Sequence, residues 1–386
     1  MKSKKTRFIL KRYFIIIFIL LPILLCGLWI FTVFVQHKYL LTNNETPKKF
    51  YREQPFYVRG IYLSSWTAAT PKLLDKTLEL ARNNQINSLV IDLKDSSGNV
   101  AYDSRVPLVN HLNTKQVRIS VLRELTDKLH GQGFYLIARL SMFQDTVLAE
   151  SKPEWALKNV NTGKIWRDRR NLAWVDPASP DVWQYNLDIA REAYDNGFDE
   201  INFDYIRFPS DGDISLIKYP VWDKQNTKAE VIKQFFAKQY DELKKYGPRS
   251  IDLFGLTLWH LEDGSDMNIG QSLANAMPYF DYICPMVYPS HYPSGFENFS
   301  NPADHPYDVV YRSLNKSRIT FETMRADPKA NHPYVRPWLQ AFDLGATYNL
   351  AMIKEQIRAT DEGGGLGWIL WNARNDYSSF NGYSLK

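Results

Sequence analysis

The chain has 386 residues, of which 45% are hydrophobic and 14% aromatic, and its formal net charge is +5. This composition is typical of a globular protein with one large domain or two ordinary ones. The first 57 residues hold ten Lys and Arg against two Glu, a charge of +8, so the remainder carries −3. A mildly acidic folded part offers no basic surface, and we expect no nucleic-acid partner.

An apolar segment occupies residues 14–35 and is interrupted only by Pro22, Gly27 and Thr32. As a helix its 22 residues would rise roughly 33 Å, which matches a bilayer core of about 30 Å. Six basic residues precede it, and no small-residue cleavage site follows, which favours a signal-anchor over a cleavable signal peptide. We therefore expect a cytoplasmic segment at 1–13, a single-pass transmembrane helix at 14–35, a linker at 36–57 and an extracytoplasmic domain at 58–386.

From Val58 onward, strand and helix patterns alternate. The predicted strands are Val58–Trp66, Ile86–Asp95, Phe134–Phe143, Phe198–Phe208, Ile251–His260, Tyr279–Tyr288, Val335–Asp343 and Leu366–Asn372. The predicted helices are Pro71–Asn84, Thr114–His130, Ser179–Asn196, Thr227–Tyr246, Ile269–Met277, Asp308–Met324 and Tyr348–Asp361. Strict alternation implies a parallel sheet with helices outside, and eight units suit a closed (β/α)8 TIM barrel. An open doubly wound sheet is the alternative, but its Gly-rich fingerprint is missing after the first strand.

The connections from strand to helix are long, whereas those from helix to strand are short. The long ones are Ser96–Asn113, Gln144–Ala178, Pro209–Asn226 and Pro289–Tyr307. In (β/α)8 barrels the loops after the strands build the active face, so this asymmetry predicts a site at that end. Only Ala373–Lys386 follows the last strand, so the eighth helix should be short or missing.

Asp204 is the central candidate residue. In the fourth strand Ile201, Phe203 and Tyr205 alternate with Glu200, Asn202 and Asp204, which places Asp204 near the strand's carboxyl end on the same face as Asn202. A carboxylate there needs partners or a function, because burying it unpaired is costly.

Polar residues also end the other predicted strands, and in a barrel these ends converge. A bowl with several carboxylates, a few cations and many rings suits sugar chemistry, in which two carboxylates cleave a glycosidic bond. Arg207 could keep one of them ionised. The seven histidines form no His-x-His or His-Glu-x-x-His motif, and there is no Gly-x-Ser-x-Gly elbow or P-loop, so we expect no metal and no cofactor.

Several runs resemble a bacterial glycoside hydrolase family of (β/α)8 barrels. They are residues 198–210 (FDEINFDYIRFPS), 90–95 (VIDLKD), 283–292 (ICPMVYPSHY), 174–177 (WVDP) and 269–271 (IGQ). The resemblance implies a glycosidase-type barrel, often membrane-anchored in Gram-positive bacteria. It also implies that Asp204, at the end of the fourth strand, is the nucleophile and that Glu262 or Asp266, after the fifth, is the acid/base.

The resulting hypothesis is a glycoside hydrolase on the outer side of the cell membrane that acts on a cell-wall or surface polysaccharide. The residues expected to contact the glycan are Asp92, Lys94, Arg139, Asn202, Arg207, Tyr288, His291, Trp371 and Asn372. Two alternatives stay open: a barrel that binds polysaccharide at the cell surface without catalysis, and a structural part of a membrane assembly.

Overall fold

The computed structural model describes residues 57–262, 264–325 and 331–384. The predicted cytoplasmic segment, transmembrane helix and linker lie outside these residues, apart from Tyr57 at the linker's end. No helix in the part of the chain that the structure describes is both long and apolar enough to cross a membrane.

Eight parallel strands close into a barrel, as the sequence predicts. They are β1 (Val58–Leu63), β2 (Ser88–Lys94), β3 (Tyr135–Ser141), β4 (Glu200–Asp204), β5 (Arg249–Phe254), β6 (Tyr282–Met286), β7 (Trp338–Gln340) and β8 (Gly367–Trp371). Neighbours in sequence pair with each other, and β1 pairs with both β2 and β8, which closes the ring. All eight carboxyl ends therefore open onto one face.

Seven helices alternate with these strands. They are α1 (Pro71–Asn83), α2 (Leu122–Gly131), α3 (Pro180–Asp195), α4 (Lys228–Leu243), α5 (Leu273–Ala276), α6 (Pro306–Arg325) and α7 (Leu350–Glu362). Local signals fix their starts: Thr227 and Glu230 form a capping box on α4, and Ser179 caps α3 ahead of a proline. After β8, the described chain contains only the 3-10 turn Ser378–Phe380, in agreement with a missing eighth helix.

Several predicted elements differ from the structure, among them the predicted fourth strand, which ends at Asp204 and not at Phe208. The predicted helix Thr114–His130 begins with a strand, Lys115–Ile119, which pairs with the added strand Val100–Tyr102, and becomes helical only at Leu122. The predicted fifth strand ends at Phe254 and continues as the 3-10 turn Gly255–Leu258. The predicted seventh strand divides into Tyr334–Val335 and β7, because Pro337 has no N–H to donate to a ladder.

The lower barrel interior contains a buried ion pair surrounded by apolar and aromatic groups. Arg336 projects inward from the break before β7 and pairs with Glu200 of β4, and both side chains are fully buried. The Tyr135 hydroxyl donates to Glu200 Oε2 at 3.1 Å, and the guanidinium of Arg336 lies 4.0 Å from the ring centre of Tyr282. This pair joins opposite parts of the barrel wall below the cleft described next.

We expect Arg336→Met to lower the free energy of unfolding of the full-length protein by about 3–5 kcal/mol, because Glu200 would be left as an uncompensated buried charge. Urea unfolding followed by tryptophan fluorescence measures the change. The double variant Arg336→Met, Glu200→Gln removes both charges and should recover part of the loss. A loss below about 1 kcal/mol in the single variant would contradict the prediction.

Candidate active site

An open cleft of about 200 Å³ lies at the carboxyl ends of the strands. Its walls are formed by Arg139, Arg170, Asp204, Tyr205, Arg207, Asp252, Phe254, Met286, Tyr288, His291, Trp338 and Trp371. A second, more apolar space of about 380 Å³ shares Tyr205, Arg207, Phe254, Met286, Tyr288 and His291 and continues to Leu256 and Tyr292. Because the two spaces share these walls, the site is an elongated groove with carboxylates in one part.

Asp204 is the last residue of β4 and lines the groove. Arg139 of β3 donates to its Oδ2 from Nε at 3.1 Å and also from Nη2, while the backbone N–H of Tyr205 donates to its Oδ1 at 2.6 Å. Tyr205 has φ of 54°, a left-handed conformation that turns the chain directly after Asp204. The carboxyl group of Asp204 thus accepts three hydrogen bonds, two of them charge-assisted bonds from Arg139.

Arg139 is held in place from its other side. Its Nη1 donates to Asp92 Oδ1 at 2.5 Å, and the Tyr62 hydroxyl donates to Asp92 Oδ2 at 2.6 Å. Burial raises the pKa of Asp92, and the guanidinium of Arg139 opposes that rise. The row Asp92–Arg139–Asp204 therefore fixes the orientation of Asp204 from within the barrel.

Asp252 of β5 is a second carboxyl group beside Asp204. The register pairs Phe203 with Ile251, which sets Asp204 next to Asp252 on strands about 4.8 Å apart. Asp252 Oδ1 accepts from Asn202 Nδ2 at 2.8 Å and from Trp338 Nε1 at 2.6 Å.

Burial, and then the charge of Asp204, raise the pKa of Asp252 well above its ordinary value. The protonated form of Asp252 therefore persists to a higher pH than that of an ordinary aspartate. Two donors occupy Oδ1, and no described residue hydrogen-bonds Oδ2, so the proton belongs on Oδ2. The adjacent carboxyl groups thus differ in their surroundings: Arg139 forms an ion pair with Asp204, whereas no described cation lies within 4 Å of Asp252.

Aromatic side chains form the remaining walls. Trp371 packs against Tyr62, with ring centres 4.0 Å apart and planes tilted by 31°, and meets Trp338 edge-on at 5.6 Å. Across the groove, His291 contacts Tyr288, with ring centres 5.2 Å apart, and burial lowers the pKa of this histidine below 6.5. His291 is therefore mainly neutral at pH 7, and rings of this kind can pack against the apolar faces of sugars.

The structure brings most of the sequence-predicted residues together. Asp204, Arg139, Arg207, Tyr288, His291 and Trp371 line the groove. Asp92 and Asn202 stand behind it and act through Arg139 and Asp252. Arg207 was expected to keep one carboxylate ionised, but it forms no ion pair with a described carboxylate, and Arg139 contacts Asp204 instead.

Lys94 lies outside the barrel instead of in the groove. A register shift between Asp92 and Lys94 breaks the two-residue period of β2, so the two side chains leave opposite faces. Lys94 is fully buried against α3, where it pairs with Asp145 at 2.7 Å and donates to Asn186 at 3.0 Å. Its charge serves the packing of a helix on the sheet.

Three further candidates are also located away from the groove. Asn372 donates to the carbonyls of Ala341 and Asp376 and braces the loop after β8. Glu262 is exposed, and Asp266 accepts from backbone N–H groups within its own turn, at 2.8 and 3.2 Å. Because β5 ends at Phe254, the acidic loop starts further from the strand end than the sequence suggested.

Sequence reasoning missed Asp252, Phe254, Met286 and Trp338. For Asp252 a signal was present: Ser250, Asp252 and Phe254 alternate with Ile251 and Leu253, the same pattern that identified Asp204. For Trp338 no such signal was present, because the residue type does not show that its side chain faces the barrel interior and donates to Asp252. Within the described residues no cluster of three or more His, Cys, Asp or Glu could hold a metal ion.

A family model described as "Putative glycosyl hydrolase domain" matches residues 60–377, which is most of the chain and includes most of β1 and the whole of β2 to β8. The chain belongs to this glycosyl hydrolase family. No curated protein gave a significant sequence match.

Solved structures with similar folds include glycoside hydrolases. The glycoside hydrolase domain of PgaB (BpsB) from Bordetella bronchiseptica is 12% identical, with a TM-score of 0.60 over 83% of this chain and 95% of that one. Alpha-L-fucosidase isoenzyme 2 from Paenibacillus thiaminolyticus is 12% identical, with a TM-score of 0.55 over 84% of this chain and 48% of that one. A hypothetical protein from Ruminiclostridium thermocellum ATCC 27405 is 36% identical over 50% of this chain and 96% of its own, with a TM-score of 0.46. At 12% identity the likeness concerns the barrel fold.

We expect Asp252→Asn to stabilise the protein more at pH 7 than at pH 4. The pKa of Asp252 is higher in the folded parent than in its unfolded chain. At a pH between these two values, Asp252 therefore binds a proton when the parent folds. The contribution of Asp252 to the parent's free energy of unfolding is fully present below the pKa of an aspartate in the unfolded chain, about 3.9. It is lost by about 1.4 kcal/mol per pH unit as the pH rises toward the pKa of Asp252 in the folded protein. Asparagine does not titrate, so the difference in free energy of unfolding should grow with pH.

Urea unfolding between pH 4 and pH 8 measures this difference. Comparing the variant with the parent at each pH cancels the titration of every group that is not coupled to Asp252. A difference between Asp252→Asn and the parent that stays constant, or falls as the pH rises, would show that Asp252 is not protonated in the folded protein.

Proposed function

We propose that the protein is a retaining glycoside hydrolase in which Asp204 is the nucleophile and Asp252 the general acid. The observation that carries the proposal is the adjacency of an arginine-bound carboxylate and a carboxyl group whose pKa burial raises, both in one groove. Retention is favoured because neighbouring strands about 4.8 Å apart leave little room for a water between the two groups. Retaining enzymes hold them about 5–5.5 Å apart, and inverting ones about 6.5–9.5 Å.

In the first step, Asp252 Oδ2 donates its proton to the glycosidic oxygen as the bond to the anomeric carbon breaks. Asp204 attacks that carbon and forms a glycosyl–enzyme ester. Asp252, now ionised, takes a proton from water, whose oxygen attacks the anomeric carbon and releases Asp204. Arg139 supports the ionised form of Asp204 at both ends of this cycle, and Asn202 and Trp338 hold Asp252 in position.

The length of the groove supports a polymeric substrate, since it extends from Trp371 past Phe254 to Tyr292. We propose a cell-wall or surface polysaccharide, reached by a domain that the apolar segment 14–35 anchors to the outer side of the cell membrane. A barrel that binds polysaccharide without cleaving it stays the alternative, and the activity test below distinguishes the two.

Asp204→Asn and Asp252→Asn should each abolish most turnover of cell-wall or exopolysaccharide fragments. For Asp252→Asn we expect a kcat about 10²–10⁴-fold lower, because the leaving oxygen is no longer protonated. With an aryl glycoside of the same sugar that carries a good leaving group, kcat/KM should escape most of that loss, because bond cleavage then needs no acid. Its kcat should stay low, because Asp252 is also the base of the second step, and NMR of the first product should show the anomeric configuration retained.

Glu262→Gln and Asp266→Asn are the matched controls and should keep parental rates. If Asp204→Asn or Asp252→Asn kept the parental rate and a control variant lost it, the proposal would be wrong and a catalytic residue would lie in the loop after β5. Glycan binding by the parent without any turnover would favour the binding barrel.

Protease added to intact bacterial cells that express the full chain should degrade the barrel domain, whereas a cytoplasmic marker protein stays intact. The expectation follows from the six basic residues before the apolar segment, which hold that end in the cytoplasm. Immunoblotting of the membrane fraction measures it. A domain that is protected in intact cells and degraded only after lysis would refute the proposed orientation.

A further inference from the structure

Arg207 is a buried cation for which the described residues provide no carboxylate. Only 7% of the residue is exposed, yet it lines both parts of the groove. Its guanidinium lies over three rings, 4.9 Å from the centre of Trp174, 5.2 Å from Tyr205 and 4.7 Å from Phe254. No Asp or Glu of the described chain lies within 4 Å of its nitrogens.

Its hydrogen bonds leave one edge of the guanidinium unused. Nη1 donates to the Phe208 carbonyl at 3.2 Å and to Ser210 Oγ at 3.1 Å. Nε and Nη2 donate to no described residue, and neither is among the buried polar atoms without a partner. This pair of donors forms a planar fork that matches the two oxygens of a carboxylate.

The other buried arginines of the barrel interior differ in this respect. Arg139 contacts Asp92 and Asp204, and Arg336 contacts Glu200. A buried charge without a partner is costly, and the rings around Arg207 offset only part of that cost. A second arginine, Arg170, is exposed at the groove wall and also forms no ion pair with a described residue.

We propose that Arg207 binds the carboxylate of an acidic sugar, so that the groove takes a glycan containing uronic acid or another carboxylate-bearing residue. The inference rests on the proposed function, because it assigns a substrate class to the same groove. Low local polarity between Tyr205 and Phe254 strengthens the pairing, and Arg170 offers a weaker contact to a second carboxylate at the rim.

The test is calorimetric binding of the full-length protein carrying Asp252→Asn, which slows turnover during the titration. The probes are oligogalacturonate, hyaluronan and alginate tetrasaccharides, each paired with its carboxyl-reduced form. At least one uronate should bind roughly 10- to 100-fold more tightly than its reduced form. Arg207→Met should remove this preference, Arg207→Lys should restore part of it, and Arg169→Met, at an exposed neighbouring arginine, should leave it unchanged.

The inference is overturned if no uronate binds more tightly than its carboxyl-reduced form. This comparison uses protein with Arg207 intact, so it does not depend on whether a variant at Arg207 folds. It is also overturned if Arg207→Met retains the preference, or if a glycerol-phosphate polymer binds more tightly than every uronate. Cleavage of neutral glycans through Asp204 and Asp252 without uronate binding would keep the hydrolase proposal and remove this one. Uronate binding that depends on Arg207, without cleavage of any glycan, would keep the proposed uronate site and remove the hydrolase proposal.

Discussion

The contact on which the site depends is the bridge that Arg139 makes between Asp92 and Asp204 inside the closed barrel. One guanidinium compensates two carboxyl groups, and Tyr62 fixes the far one. Without Arg139, Asp204 would join Asp252 as a second buried acid on a neighbouring strand, and two like charges in such surroundings cannot both ionise easily. With it, Asp204 has a cationic partner, whereas burial favours the protonated form of Asp252.

The closed barrel supplies the geometry for this division. Side chains at alternate strand positions point inward, so Asn202 and Asp204 on β4 face Asp252 on β5 and Arg139 on β3. The ion pair of Glu200 and Arg336 fills the layer below. Most inward polar groups of these strands are therefore held by one another, although Asn202 Oδ1 and Arg336 Nε accept or donate no hydrogen bond within the described residues.

The fold was predictable to a large extent from the sequence, because alternation of strand and helix over eight units has few solutions. The position of Asp204 was also predictable, because the two-residue alternation of β4 gives the face of its side chain and the end of the strand gives its height in the barrel. Lys94 shows the limit of this reasoning, since a one-residue register shift in β2 reverses the face of every later side chain. No residue type signals that shift in advance.

The acid partner illustrates a second limit. Glu262 and Asp266 were favoured because carboxylates in the loop after β5 follow the expected position, yet the strand ends earlier than its apolar pattern suggested, at Phe254. Asp252 lies within the apolar stretch of the predicted strand, so its carboxyl group was not recognised as part of the site. Its two donors, Asn202 and Trp338, come from strands that are distant in sequence, so their convergence depends on the closed sheet.

Burial has opposite consequences for the two groups that the groove leaves partly unsatisfied. A buried carboxyl group can escape the cost of its charge by taking up a proton, and Asp252 then becomes an acid with a proton to donate. Burial lowers the pKa of Arg207 as well, but a guanidinium stays protonated throughout the neutral range, so it can be relieved only by an anion from outside. The same dry, ring-lined groove thus accounts for a proton donor at one position and an anion receptor at the next. A polysaccharide whose sugar carries a carboxylate satisfies both.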